Sequence, residues 1–138
     1  MVLSQGTLEF STSPKSFLDI TKEVQNFVSE SNIQDGVCNL FIKHTSASLV
    51  IQENYDPSVR KDFETIFSKL APEDFPYVHN MEGKDDMPAH IRSALTSTSE
   101  TIPIVNEKLS LGTWQGIYIW EHRDQTHNRK VMVSMIGE

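Results

Sequence analysis

Five histidines are the only hint of chemistry in the composition, and their neighbours decide what that chemistry could be. His44 ends the apolar run that begins at Val37 and precedes the hydroxyl-rich Thr45-Ser46-Ala47-Ser48. Strand ends that face loops are where binding groups are usually presented. The ordinary alternative is a surface or satisfied core histidine. Ser46 is the candidate phosphate-binding hydroxyl of this stretch. His79 and His90 flank a segment carrying Glu82, Lys84, Asp85 and Asp86. His90 is expected in the first turn of a helix, where free N–H groups and the helix dipole attract anions and keep an imidazole neutral. A neutral imidazole is what a divalent metal needs, and a nearby carboxylate could orient it or complete the shell. Against this stands an acidic solvated loop with two incidental histidines, because His-x10-His is a weak spacing signal.

Further candidates lie outside the histidines. Thr113-Trp114-Gln115-Gly116 could line a pocket for a heteroaromatic ring, with Gln115 supplying the amide, or Trp114 and Trp120 could be core. Glu121 ends an apolar strand and could act in acid–base work, although an ion pair with Arg123 is the more ordinary explanation. Arg92 and Lys84, with Arg123 and Arg129, could contact phosphate, as against being solvated. The chain has no Gly-x-Gly-x-x-Gly after a strand, no Walker-type Gly-Lys-Ser/Thr, no Gly-x-Ser-x-Gly and no His-Glu-x-x-His. A site must therefore be assembled from separated segments.

The elements that would do so follow from hydrophobic periodicity. Residues 2–10 read as a strand. Ile20, Val24, Phe27 and Val28 fall on one face of a helix over 19–31. Val37–Lys43 reads as a central strand and Ser48–Gln52 as a second. Asp56-Pro57 opens the clearest helix, with Asp56 as cap and Pro57 in the first turn, and it ends near Pro72. A long aperiodic loop spans 71–86, a length often functional in small domains. A short helix is expected over Pro88–Thr96, capped by Asp86 or Met87. The tail reads as strands at Thr101–Val105, Lys108–Leu111, Gly116–His122 and Lys130–Ile136. The expected fold is α+β, a single domain over 1–138, with two longer helices and one short helix on a mostly antiparallel or mixed sheet.

At 138 residues the chain needs no disulfide staple, and its one cysteine, Cys38, lies in an apolar run as a reduced core residue. Twelve Lys plus Arg against nineteen Asp plus Glu give a net charge of −7, which disfavours nucleic-acid binding. No run approaches the roughly 20 apolar residues of a membrane span, and no signal peptide is visible. The expectation is a cytoplasmic protein with no membrane partner.

Several blocks resemble a known family. His44-Thr45-Ser46-Ala47-Ser48-Leu49, Gln52–Val59, Glu82–Ile91, Leu111–Gly116 and Ile136-Gly137-Glu138 look, in order and nearly end to end, like the YjbQ family, also called the secondary thiamine-phosphate synthase family. The resemblance implies a small α+β homotrimer with a histidine-rich site near subunit boundaries. It implies His44, His79 and His90 as metal ligands, with Asp85 and Asp86 as acidic positions, Gln115 as the amide and Glu121 as the strand-end carboxylate. Asp86, Gln115 and Glu121 are then the catalytic candidates, and Arg92, Lys84 and Ser46 the phosphate-binding ones. The implied activity joins a pyrimidine methyl diphosphate to a thiazole phosphate and releases diphosphate, as a weak, secondary activity. Three nitrogen ligands favour zinc over magnesium, which prefers oxygen, so a zinc-dependent hydrolase is the alternative. A non-catalytic trimeric module binding metal or metabolite is a further one. The chain departs from the family twice. Thr96-Ser97-Thr98-Ser99 stands where a glycine is usual, and Asn106-Glu107 where Asn-Gly is frequent. Glutamate disfavours positive φ, so this hairpin is expected to use a different turn.

Overall fold

A computed structural model describes residues 1–138. The chain runs through β1 (Val2–Ser11), β2 (Phe17–Asp19), α1 (Thr21–Glu30), β3 (Gly36–Ile42), β4 (Ala47–Glu53), α2 (Pro57–Leu70), α3 (Asp86–Leu95), β5 (Ser99–Val105), β6 (Lys108–Leu109), β7 (Gln115–Glu121) and β8 (Asn128–Gly137). The architecture is α+β, as expected. All strand pairs are antiparallel and form two sheets, of order β1-β8-β3-β5-β6 and β2-β7-β4, so the mixed alternative does not occur. β3 occupies the centre of the larger sheet, as its unbroken apolar run anticipates.

The core lies between the sheets. β7 is buried from Gly116 to Glu121 because both of its faces are covered. Ile117 and Ile119 join Leu40, Ile42, Leu49, Val131 and Val133 on the inner side, and Val24 and Val28 of α1 complete that cluster. Trp120 faces the other way. Its ring stacks on Phe17, with centroids 4.4 Å apart, and meets Phe67 of α2 edge-on at 4.8 Å. A helix laid on this face needs only aromatic tips to hold it, so α2 is partly exposed along its length.

Helix starts are set by local chemistry. Asp56 accepts from the Ser58 N–H at 2.9 Å and Pro57 opens α2, as expected. α3 instead begins at Asp86, with Asp85 as cap, two residues before the expected Pro88. Pro88 is the third helical residue, where the missing N–H costs nothing because the first four amides have no intrahelical acceptor. Gly83, at φ +103°, turns the chain into α3, and its carbonyl accepts from the Asp86 N–H.

Two further expectations are corrected. β2 went unrecognised because three residues carry too little pattern to announce a strand; its pairing with β7 creates it. The β5–β6 hairpin does use the two-residue turn with both φ positive, +51° at Asn106 and +66° at Glu107. Hydrogen bonds with α1 and with the loop before β3 override glutamate's preference. The Asn106 N–H donates to Asp35, the Glu107 N–H donates to the Gln34 carbonyl, and the Glu107 carbonyl accepts from Gln25.

Candidate metal centre

Residues of the first turn and a half of α3 converge with His79 from the preceding loop. Asp86 and His90, four apart, share one face of α3. Asp86 Oδ2 lies 2.6 Å from His79 Nε2 and 3.2 Å from His90 Nε2, and these three atoms lie within 4.8 Å of one another. Asp86 is 2% exposed, whereas His79 is exposed and His90 partly so, which leaves the cluster open on one side.

His90 and Asp86 are held from behind, whereas His79 meets Glu82 as well as Asp86 through Nε2. His90 Nδ1 donates to the Thr45 carbonyl at 2.8 Å, which places its proton on Nδ1 and leaves Nε2 as a lone pair facing Asp86. Arg123 Nη1 lies 2.9 Å from the other oxygen of Asp86, and its Nε donates to Asp85 at 2.8 Å. Asp85 also accepts from the Asp124 N–H at 2.9 Å. Burial opposes ionisation of Asp86, yet the His79 hydrogen bond and the Arg123 charge outweigh it and hold its carboxyl below the usual carboxylate range. Burial likewise opposes ionisation of Asp85, and Arg123 and the Asp124 amide reverse it. Two imidazole nitrogens and one ionised carboxylate with an open side are a donor set that fits a divalent transition metal.

The remaining candidates are distributed differently. His44 stands outside the cluster: its Nε2 accepts from the Lys130 N–H of β8 at 2.8 Å. It lines a neighbouring cleft together with His90. Burial, then the Arg129 charge, lowers its pKa and keeps it neutral. Lys84 is exposed and borders a small cavity beside His79. Ser46, through its carbonyl and hydroxyl, accepts from Arg129. Gln115 lies at the far end of β7 from Glu121, about 20 Å along the strand. There it accepts from the Gly112 N–H at 2.7 Å.

Arg92 and Glu121 do not have the freedom their expected roles require. Arg92 is 2% exposed, forks onto both oxygens of Glu64 at 2.9 and 3.0 Å, and lies over the Trp120 ring. It ties α3 to α2 and has no face left for phosphate. Glu121 is fully buried and takes hydrogen bonds from Thr12, Arg129 and the Arg123 N–H. Its ion-pair partner is Arg129, not Arg123. Burial alone would raise the Glu121 carboxyl, but Arg129 and Thr12 lower it, so it is a carboxylate committed to its buried partners.

Arg123 is the role that sequence reasoning placed wrongly: it grips the acidic pair. The Asp86-x-x-x-His90 spacing was the available signal. It becomes visible once α3 is begun at Asp86. His122, also buried, receives a hydrogen bond from or donates one to Ser48 beneath α3, and burial with the charges of Arg92 and Arg129 pushes its pKa down to about 3. It is a neutral packing group.

Comparisons place this geometry among known chains. The family model described as UPF0047 protein YjbQ-like matches residues 6–138. A UPF0047 protein of Synechocystis is 53% identical, over 97% of this chain and 92% of its own. The YjbQ protein of Salmonella typhimurium is 42% identical, over 97% and 98%. Among solved structures, a YjbQ/UPF0047 protein from Clostridium acetobutylicum superposes with a TM-score of 0.87 at 41% identity, over 94% of this chain and 98% of the other. With the match running through both sheets and all three helices, the chain belongs to the YjbQ-like UPF0047 family.

Proposed function

We propose that this chain is a small metal-assisted enzyme acting on phosphorylated or diphosphorylated small molecules, with thiamine phosphate formation as its named reaction. The observation that carries the reading is the convergence of His79 Nε2, Asp86 Oδ2 and His90 Nε2, with His90 and Asp86 each fixed by a second group behind it. Zinc is favoured over magnesium because two of the three donors are imidazole nitrogens. A divalent ion held there would supply positive charge to the oxygens of a departing diphosphate. In that reaction the methylene–oxygen bond to diphosphate breaks and a methylene–nitrogen bond to the thiazole forms.

The chain's own residues have simple tasks. Asp86 and the two histidines hold the ion, and Arg123 keeps Asp86 ionised and in register. The Thr45 carbonyl fixes the His90 tautomer. Lys84, exposed beside His79, offers a cation to the same oxygens. The thiazole nitrogen is already nucleophilic, so no strong base is required, which agrees with Glu121 being committed to Arg129. The donor set also favours a second reading, zinc-dependent hydrolysis of a phosphate ester, since two histidines, one carboxylate and an open position suit that chemistry.

We further propose that the chain acts as a homotrimer. The outer face of the five-stranded sheet supports this, because it exposes Leu3, Val37, Phe41 and Ile136. Leu3, Ile136 and Val37 lie side by side across three strands, an apolar row that contact with another copy would cover.

The test is diphosphate release from the two thiamine precursors, and phosphate release from generic esters, by zinc-loaded protein. Asp86→Ala and His90→Ala should each lower turnover at least about 100-fold, the scale of losing one ligand or charge stabiliser. Full activity in rigorously metal-free protein would overturn the reading.

A further inference from the structure

A cleft of about 470 Å³ lies between the end of β3 and the middle of α3, next to the metal cluster and sharing His90 with it. Its polar lining is Lys43, His44, Thr45, His90, Ser93 and Thr98. No aspartate or glutamate lines it, in a chain where acids outnumber Lys plus Arg nineteen to twelve. The acidic cluster and its arginine lie on the other side of His90, so the cleft is a donor-rich opening in an acidic protein.

The hydrogen bonding of His44 settles what that ring can offer. Its Nε2 lone pair accepts from the Lys130 N–H at 2.8 Å, so a neutral His44 carries its proton on Nδ1. A metal ligand needs a free lone pair, and His44 has none; what it can offer the cleft is an N–H. Lys43 is exposed and makes no ion pair with an acid, unlike Lys15 or Lys130. An ammonium, an imidazole N–H and the Thr98 hydroxyl around one opening suit an anion with several oxygens.

We propose that this cleft binds the phosphate group of the substrate, with Lys43 and His44 as its donors, so that His44 is a substrate-binding residue and not a metal ligand. The proposal rests on the reading above for the phosphorylated nature of the substrate. It places that phosphate one imidazole away from the ion, with His90 as the shared wall.

Two titrations test it. Inorganic pyrophosphate is titrated calorimetrically into chelator-treated protein, and zinc is titrated separately against a competing chromophoric chelator. Lys43→Ala and His44→Ala should each weaken pyrophosphate binding about tenfold or more, while His44→Ala keeps zinc affinity within about threefold of the parent. His90→Ala should lose the zinc. The proposal is overturned if the parent binds no pyrophosphate, if both cleft variants bind it like the parent, or if His44→Ala loses the zinc. Lys43 is exposed, so its truncation keeps the anion test valid should His44→Ala fail to fold. Because pyrophosphate is titrated without the ion, failure of the cleft and failure of the metal centre are read separately.

Discussion

Glu121 and Asp86 are both buried carboxylates beside an arginine, yet only one is available for chemistry. Every oxygen direction of Glu121 is filled by Thr12, Arg129 or a backbone amide, whereas Asp86 presents Oδ2 to two histidines on an open side. Glu121→Gln should therefore act on stability. Removing the charge leaves the Arg129 guanidinium buried without its counter-ion, which costs about 3–5 kcal/mol, read as a lowered urea midpoint. The same logic sets the acid limb of stability. Glu121, Asp85 and Asp86 all have native pKa values below their ordinary 4.5 and 3.8. Their contribution is complete above those ordinary values and is lost as pH falls through the lower native ones. The urea midpoint of the parent should fall steadily below pH 4.5, and the Glu121→Gln variant should show a shallower fall. An equal slope in both would remove Glu121 from the account.

Elements were legible wherever burial imposed a long period and illegible where a few residues took their conformation from a neighbour. The runs of β3 and β7, and the Asp56-Pro57 start of α2, could be read directly because apolar periodicity and capping act within a few residues. β2 could not, since its three residues are a strand only against β7. The start of α3 was hidden by Pro88, since proline's ordinary place in a helix is two positions earlier than the one it takes here. That displacement concealed the i, i+4 relation of Asp86 and His90, so Asp86 stood only as one acidic candidate beside Asp85 and Glu82. His79 and His90 were nameable from spacing, but the capture of His44 by the Lys130 amide depends on a strand 86 residues away. At the β5–β6 turn the clash between residue and conformation makes a prediction. Glu107 sits at φ +66°, a left-handed conformation costing roughly 1 kcal/mol for a residue with a Cβ. Glu107→Gly should raise stability by about 0.5–1 kcal/mol in urea denaturation. A loss instead would mean that the Glu107 side chain contributes contacts worth more than the strain.

The whole molecule presents one face that no helix or sheet covers. On the outer side of the five-stranded sheet, cross-strand register aligns Leu3, Ile136, Val37 and Pro103 in one apolar row and sets Met132 beside Phe41 in another. Between them runs a polar row of Gln5, Ser134, Asn39 and Thr101, with Gln5 bonded to Ser134 and Asn39 to Thr101. Such a striped face suits contact between copies, with the apolar rows supplying burial and the polar row fixing register. Sedimentation equilibrium should give three chains for the parent and one for Val37→Glu; a monomeric parent would end the trimer proposal. No helix is long and apolar enough to cross a membrane. The central claim remains the metal centre, and one measurement addresses it most directly: an anomalous difference map at the zinc edge from crystals grown with one equivalent of zinc. The account predicts a single strong peak about 2.0–2.2 Å from His79 Nε2, His90 Nε2 and a carboxylate oxygen of Asp86, with His44 still bonded to the Lys130 amide. A map with no peak among those three residues, or with the peak bound by His44, would contradict it.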